Sequence, residues 1–196
     1  MKSSRKFLVL ATLLLTCGLS ASAQTVPSDG KEFSKDGLTF SYPTSWTFND
    51  TSNADAQQMT FGRADSEAQI RVFVFRTPIK TPEQLAEARK VLVDPYINAT
   101  QKQFEQMGAT PKRAPATTEI AGLSGDGVKI SASLDGEPGA AEIFWGVVGQ
   151  RLVVLTRFGP DKALTKALPV WDQIRTSIKV EESQPKTPQP AATPKP

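Results

Sequence analysis

The chain has 196 residues, 23 of them basic and 20 acidic, with no His and a single Cys. That length suits one domain, and 39% hydrophobic with 22% charged residues is an ordinary globular composition. Without His there is no imidazole base, no Ser-His-Asp or Cys-His arrangement and no His ligand for a metal.

The first 23 residues read as an address. Lys2, Arg5 and Lys6 form a positive start, residues 7–15 are apolar except Thr12, and Ala21-Ser22-Ala23 precedes Gln24. This is the layout of a secretory signal peptide, cleaved between Ala23 and Gln24. A lipoprotein reading would make Cys17 the modified residue, but Thr16 is larger than the small residue usual before such a Cys. The apolar run is too short to span a membrane, and no later stretch is long enough. Cleavage removes the only Cys, and with it thiol catalysis, disulfides and zinc–cysteine sites. It also removes three basic residues, leaving 20 basic against 20 acidic. No basic run remains, so a nucleic-acid partner is not expected.

Residues 24–34 are polar and read as a flexible N-terminal segment. Residues 183–196, SQPKTPQPAATPKP, hold five Pro among 14 residues and no large apolar side chain. They read as a Pro-rich disordered tail. The folded domain is then 35–182.

Within it, Leu38 to Tyr42 alternates as a half-buried strand does, and Trp46-Thr47-Phe48 looks like its continuation. Met59-Thr60-Phe61 is a second short strand. Residues 70–75 are apolar at five of six positions, the pattern of a strand covered on both faces. The period then changes. Thr81-Pro82-Glu83-Gln84 is a helix start with a capping box. Leu85, Ala88 and Leu92 make one stripe, and Ile97, Phe104 and Met107 continue an apolar face. Pro95 predicts a kink or restart capped by Asp94, and Gly108 a C-terminal cap. Beyond Pro115 the period returns to two, with a glycine-rich turn at residues 125–127. Residues 135–139, DGEPG, signal another turn, and strands flank Gly149-Gln150 as a hairpin. Residues 160–178 are helical, with Leu164, Leu168, Trp171 and Ile174 on one side and a break at Pro169. The expected fold is α+β, a mainly antiparallel sheet with the long helical region on one face and the last helix on the other or at an end.

Motifs that carry chemistry are weak. Gly122-Leu123-Ser124-Gly125 falls short of a nucleophile elbow and has no His to serve it. Ser28-x-x-Lys31 and Ser183-x-x-Lys186 match a Ser-Lys spacing, yet both lie in segments read as unfolded. Residues 49–55, NDTSNAD, bring oxygen donors together without the glycine and later Glu of a calcium loop. Residues 49–51 and 98–100 are glycosylation sequons, meaningful only in a source that glycosylates secreted proteins. Trp46, Trp145 and Trp171 read as core. Glu119 and Glu142 stand near strand ends and are candidates for a carboxylate pair. No metal or other cofactor is expected.

Residues 37–46, GLTFSYPTSW, resemble the G-L-x-F-x-Y-P-x-x-W opening of the PsbP-like superfamily, and residues 171–178 are similar to its closing helix and short strand. The resemblance covers about 35 to 180. It implies an antiparallel sheet between helical layers and an accessory or binding role, and it transfers no functional residues. The chain is therefore expected to be a secreted or periplasmic, non-catalytic binding module. Its partner would be an envelope protein or cell-wall component. The alternative is a carboxylate-based, cation-assisted hydrolase or lyase.

Overall fold

The computed structural model describes residues 30–181. The expected cleavage site at Ala23 and Gln24, Cys17, Ser28 and the tail 183–196 lie outside them.

The chain begins with a hairpin, β1 (Gly30–Lys35) and β2 (Leu38–Pro43). Asp36 and Gly37 close it, both at positive φ, which gives the turn the twist of its strands. The strand β1 corrects the expected domain start, because it lies in the segment 24–34 read as flexible. Phe33 is its one buried side chain: that ring is 8% exposed and stacks on Phe40 at 4.9 Å, while its five strand neighbours are exposed. One buried position in six leaves no period to read.

A second correction concerns Trp46 to Phe48. A turn with Trp46 N–H donating to Pro43 O separates β2 from β3 (Thr47–Asp50), which joins a different sheet. That sheet also contains β4 (Ala56–Arg63), β5 (Ser66–Pro78), β6 (Lys112–Ile120), β7 (Leu123–Leu134), β8 (Glu137–Val148) and β9 (Arg151–Pro160). Its order is β3-β4-β5-β9-β8-β7-β6, antiparallel throughout. The first hairpin forms a small sheet with β10 (Lys179–Val180), which pairs with β2.

The glycine-rich turn is also placed differently. Ala121 and Gly122 make the β6–β7 turn at positive φ, while Gly125 and Gly127 lie inside β7. A Cβ on Gly127 would run into the Phe144 ring and the Ile143 carbonyl, so glycine there makes room for a core aromatic. Likewise only Asp135 and Gly136 turn, and Glu137-Pro138-Gly139 opens β8.

Helices cover both faces of the large sheet. On one side lie α1 (Pro82–Ala88), a π-helical turn (Arg89–Val93) and α2 (Asp94–Gln106), continuous in chain. On the other lie α3 (Asp161–Lys166) and α4 (Leu168–Ser177), broken at Ala167 with Pro169 in the first turn of α4. Along β8 the alternation is direct: Ala140 and Phe144 face α3 and α4, while Ala141, Ile143 and Trp145 face α2. This explains why the central strands are apolar at successive positions. Trp46, Trp145 and Trp171 are all buried, as expected of core residues.

The Thr81–Gln84 capping box is formed as expected. Gly108 sits at φ 85°, and the bonds Gly108 N–H to Glu105 O and Ala109 N–H to Phe104 O complete the C-terminal cap. The restart expected at Pro95 is present, since α2 begins at Asp94, but the expected Asp94 cap is not. The helix widens into a π turn before Pro95, and the Asp94 side chain makes no cap but accepts from Arg89 Nε at 3.5 Å. An i→i+5 turn inserts an extra residue and rotates the apolar face. Val93 and Ile97 are buried, whereas Leu92, expected on the stripe, is exposed.

Candidate functional site

A cleft of about 300 Å³ lies between the second half of α2 and the sheet below it. It opens because the sheet carries small side chains there. Ala132 on β7 is registered to Gly139 on β8, and Ala141 stands two residues further along the same face. The helix above contributes Tyr96, Thr100, Phe104 and Met107, and Leu134 and Phe158 complete an apolar wall. Tyr96 is held edge-on to Phe73 at 5.4 Å, and the Thr100 hydroxyl donates to Tyr96 O at 2.9 Å.

Two polar groups of the sheet reach this cleft. Arg71 on β5 and Thr156 on β9 are cross-strand partners, so their Cα atoms stand about 5 Å apart with side chains on the same face. The Arg71 guanidinium lies 4.6 Å over the Phe158 ring, and among the described residues it has no ion pair. Thr156 is 1% exposed, and among the described residues its hydroxyl has no hydrogen-bond partner. A buried hydroxyl without a partner costs on the order of 1–3 kcal/mol, and such groups are rare in folded proteins. The cleft thus combines an apolar wall, an unopposed cation and an unsatisfied hydroxyl.

Other charged groups are engaged elsewhere. Glu142, one of the two acids considered as a carboxylate pair, bonds Arg157 Nε at 2.7 Å and lies 3.3 Å from Lys129 Nζ, on the opposite face of the sheet from the cleft. Arg157 in turn covers the Trp171 ring at 5.4 Å. Glu119 is exposed at the end of β6, registered to Ser124. Ser124 stands five positions along β7 from Lys129, the residue opposite Glu142, a separation of roughly 17 Å at strand rise. The two acids are therefore not brought together.

In residues 49–55 the oxygens cap turns: Asp50 Oδ1 accepts from Ser52 N–H, and Asn53 Oδ1 accepts from the N–H groups of Asp55 and Ala56, each at 2.9 Å. Asp50 Oδ2 takes Lys35 Nζ at 2.8 Å. The Lys35 bond, with those from Ser52, lowers the Asp50 pKa to about 2. Lys31 of the Ser-Lys spacing stands exposed on β1.

Among the described residues the most buried cation is Arg151. It donates from Nε to Phe75 O at 2.9 Å and from its terminal nitrogens to Gln57 Oε1 at 2.6 Å, Val74 O at 3.2 Å and Asp36 O at 3.3 Å. Gln57 Nε2 donates onward to Lys35 O at 2.7 Å. Burial pushes the Arg151 pKa down, with the Arg76 charge adding to it and Asp36 opposing. This network ties the turn of the first hairpin to the large sheet where the β5–β9 register slips.

No protein-family model matches the chain, and no curated protein is significantly similar to it. Solved structures are. A protein from Bacteroides thetaiotaomicron matches at TM-score 0.52 and 14% identity, over 82% of this chain and 52% of that one. This chain thus spans about half of it. The cyanobacterial PsbP of Synechocystis matches at TM-score 0.48 and 14% identity, over 83% of this chain and 98% of that one. LpqN, involved in cell envelope biogenesis of Mycobacterium tuberculosis, matches at TM-score 0.39 and 13% identity, over 81% and 87%. The likeness to the Bacteroides structure is one of fold, and the fold is α+β, a mainly antiparallel sheet flanked by helices. Among the described residues no helix is long and apolar enough to cross a membrane.

Proposed function

We propose that the chain is a secreted or periplasmic, non-catalytic binding module of the cell envelope, and that the cleft beneath α2 is where it binds a small apolar ligand. The observation that carries this reading is the pairing of Arg71 with the partnerless Thr156 hydroxyl at the floor of an otherwise apolar cleft. A volume of about 300 Å³ is at the small end of ligand sites, suited to one compact molecule rather than a peptide strand. The amino-terminal pattern ending at Ala21-Ser22-Ala23 supports export, with cleavage between Ala23 and Gln24. The reading as a non-enzyme rests on residue chemistry. The chain has no His, and the most buried acid among the described residues, Glu142, is ion-paired with two cations, Lys129 and Arg157.

Titration with the neutral fluorophore N-phenyl-1-naphthylamine tests the cleft: saturable binding at one site is expected. A panel of esterase, phosphatase, glycosidase and peptidase substrates tests the rest. Turnover that survives repurification and is lost on mutating one acid would overturn the non-catalytic reading. Intact mass of the exported protein tests the cleavage: acylation at Cys17 would replace it with a lipid anchor.

A further inference from the structure

Taking the cleft as the binding site, we infer that its ligand is a single-chain apolar carboxylic acid, of the medium-chain fatty acid type, with the carboxylate held by Arg71 and Thr156. The inference rests on that reading of the cleft and adds the ligand's charge and polarity.

The Arg71 charge calls for an anionic acceptor, and the Thr156 hydroxyl can add a second donor. The Thr156 hydroxyl is buried without a partner and can donate to an oxygen placed beside it. Its cross-strand neighbour Arg71 offers a planar fork that matches a carboxylate. Packing over Phe158 orients that fork at no cost in hydrogen bonds, leaving its N–H groups available. Their Cα atoms stand about 5 Å apart on adjacent strands, with both residues lining the same cleft.

The rest of the site fits a hydrocarbon body. From Arg71 the cleft runs beneath Phe104 and Met107 towards Leu134. Met107, in the lining, is 51% exposed, and its flexible thioether adapts to a chain of variable length. A volume of about 300 Å³ accommodates a ligand of roughly 12–17 non-hydrogen atoms. The one acid in the lining, Glu137, is exposed and stands at the start of β8, in register with Leu134. A carboxylate placed at that end would be repelled, so the ligand enters with its charge towards Arg71. A phosphate ester fits poorly: its second charge would face one arginine and one hydroxyl alone. An alcohol would leave the guanidinium covered by apolar surface with no counter-charge.

Calorimetric titration of the protein with decanoate, decanol and decylamine tests this. Decanoate is expected to bind at one site, at least about tenfold tighter than decanol, with decylamine weakest. Arg71→Gln is expected to remove the preference of decanoate over decanol while retaining decanol binding. Thr156→Val is expected to raise the unfolding temperature of the free protein and weaken decanoate binding, a combination that a purely structural hydroxyl would not produce. Decanol binding as tightly as decanoate, or decanoate affinity unchanged in Arg71→Gln, would overturn the acid while leaving the cleft a binding site. Binding of none of the three would overturn both.

Discussion

Replacing Arg151 with Met removes the cation that joins the first hairpin to the large sheet while keeping the apolar stem. Four acceptors lose their donor: the carbonyls of Asp36, Val74 and Phe75, and the Gln57 amide oxygen. Gln57 is fully buried, so its orphaned oxygen alone costs about 2 kcal/mol. The carbonyls add to this, because the side chain that replaces the guanidinium excludes water from them. Against that, a buried guanidinium with no carboxylate bonded to it no longer has to be desolvated, a gain that offsets part of the loss. The balance is a destabilisation of about 3 kcal/mol, or a fall in Tm of roughly 10 °C for a domain of this size. Thermal and urea unfolding followed by circular dichroism measure it. Pairing the change with Gln57→Leu provides the control. With both partners apolar, the double variant is expected to lose less than the sum of the two single changes. A fall of under about 2 °C in Arg151→Met, or strict additivity with Gln57→Leu, would refute the claim that this network holds the two sheets together.

Other consequences are equally concrete. Gly127→Ala drives a methyl into the Phe144 ring and the Ile143 carbonyl, and is expected to cost about 1–3 kcal/mol in urea unfolding. Gly108→Ala meets no neighbouring atom but forces alanine to φ 85°, for a loss of about 1 kcal/mol by the same assay. Asp50 has a pKa of about 2 in the fold against an ordinary 3.8. The unfolded chain therefore binds the proton first, and the Asp50 contribution is complete above about pH 4 and is lost as pH falls towards 2. Acid titrations of stability should become flatter over that window in Asp50→Asn and in Lys35→Met. Thr156→Val is expected to stabilise the unliganded protein by about 1 kcal/mol, since it replaces a partnerless buried hydroxyl with a methyl.

The layers of the fold were legible because they follow from periodicity. Apolar runs at residues 70–75 and 141–148 required cover on both faces, and the helical stretches beginning at Thr81 and beyond Pro160 supply it. What escaped was local. Strand β1 buries a single ring, Phe33, and one buried position in six residues carries no period. The π turn before Pro95 shifted the buried face from Leu92 to Val93, a displacement that no helical wheel of fixed pitch contains. The cleft escaped for a different reason. Ala132, Gly139 and Ala141 are small residues on two strands, and Pro138-Gly139 read as turn chemistry; only the β7–β8 register lays them together under α2. One signal was available. Arg71 is the single charged residue in the run 70–75, and a charge retained in a strand covered on both faces points to something that it meets there. Its partner Thr156 follows four apolar residues of β9 and carried no comparable signal.

The central claim is that the space beneath α2 is a binding site, and filling that space tests it most directly. Ala132→Phe places a ring in the cleft from the β7 side, where the facing residue is Gly139. Fluorescence titration with N-phenyl-1-naphthylamine is expected to give saturable binding to the wild-type protein and at least about tenfold weaker binding to Ala132→Phe, with the variant's unfolding temperature retained. Equal affinity in the two proteins, with the variant folded, would place the ligand elsewhere and contradict the account.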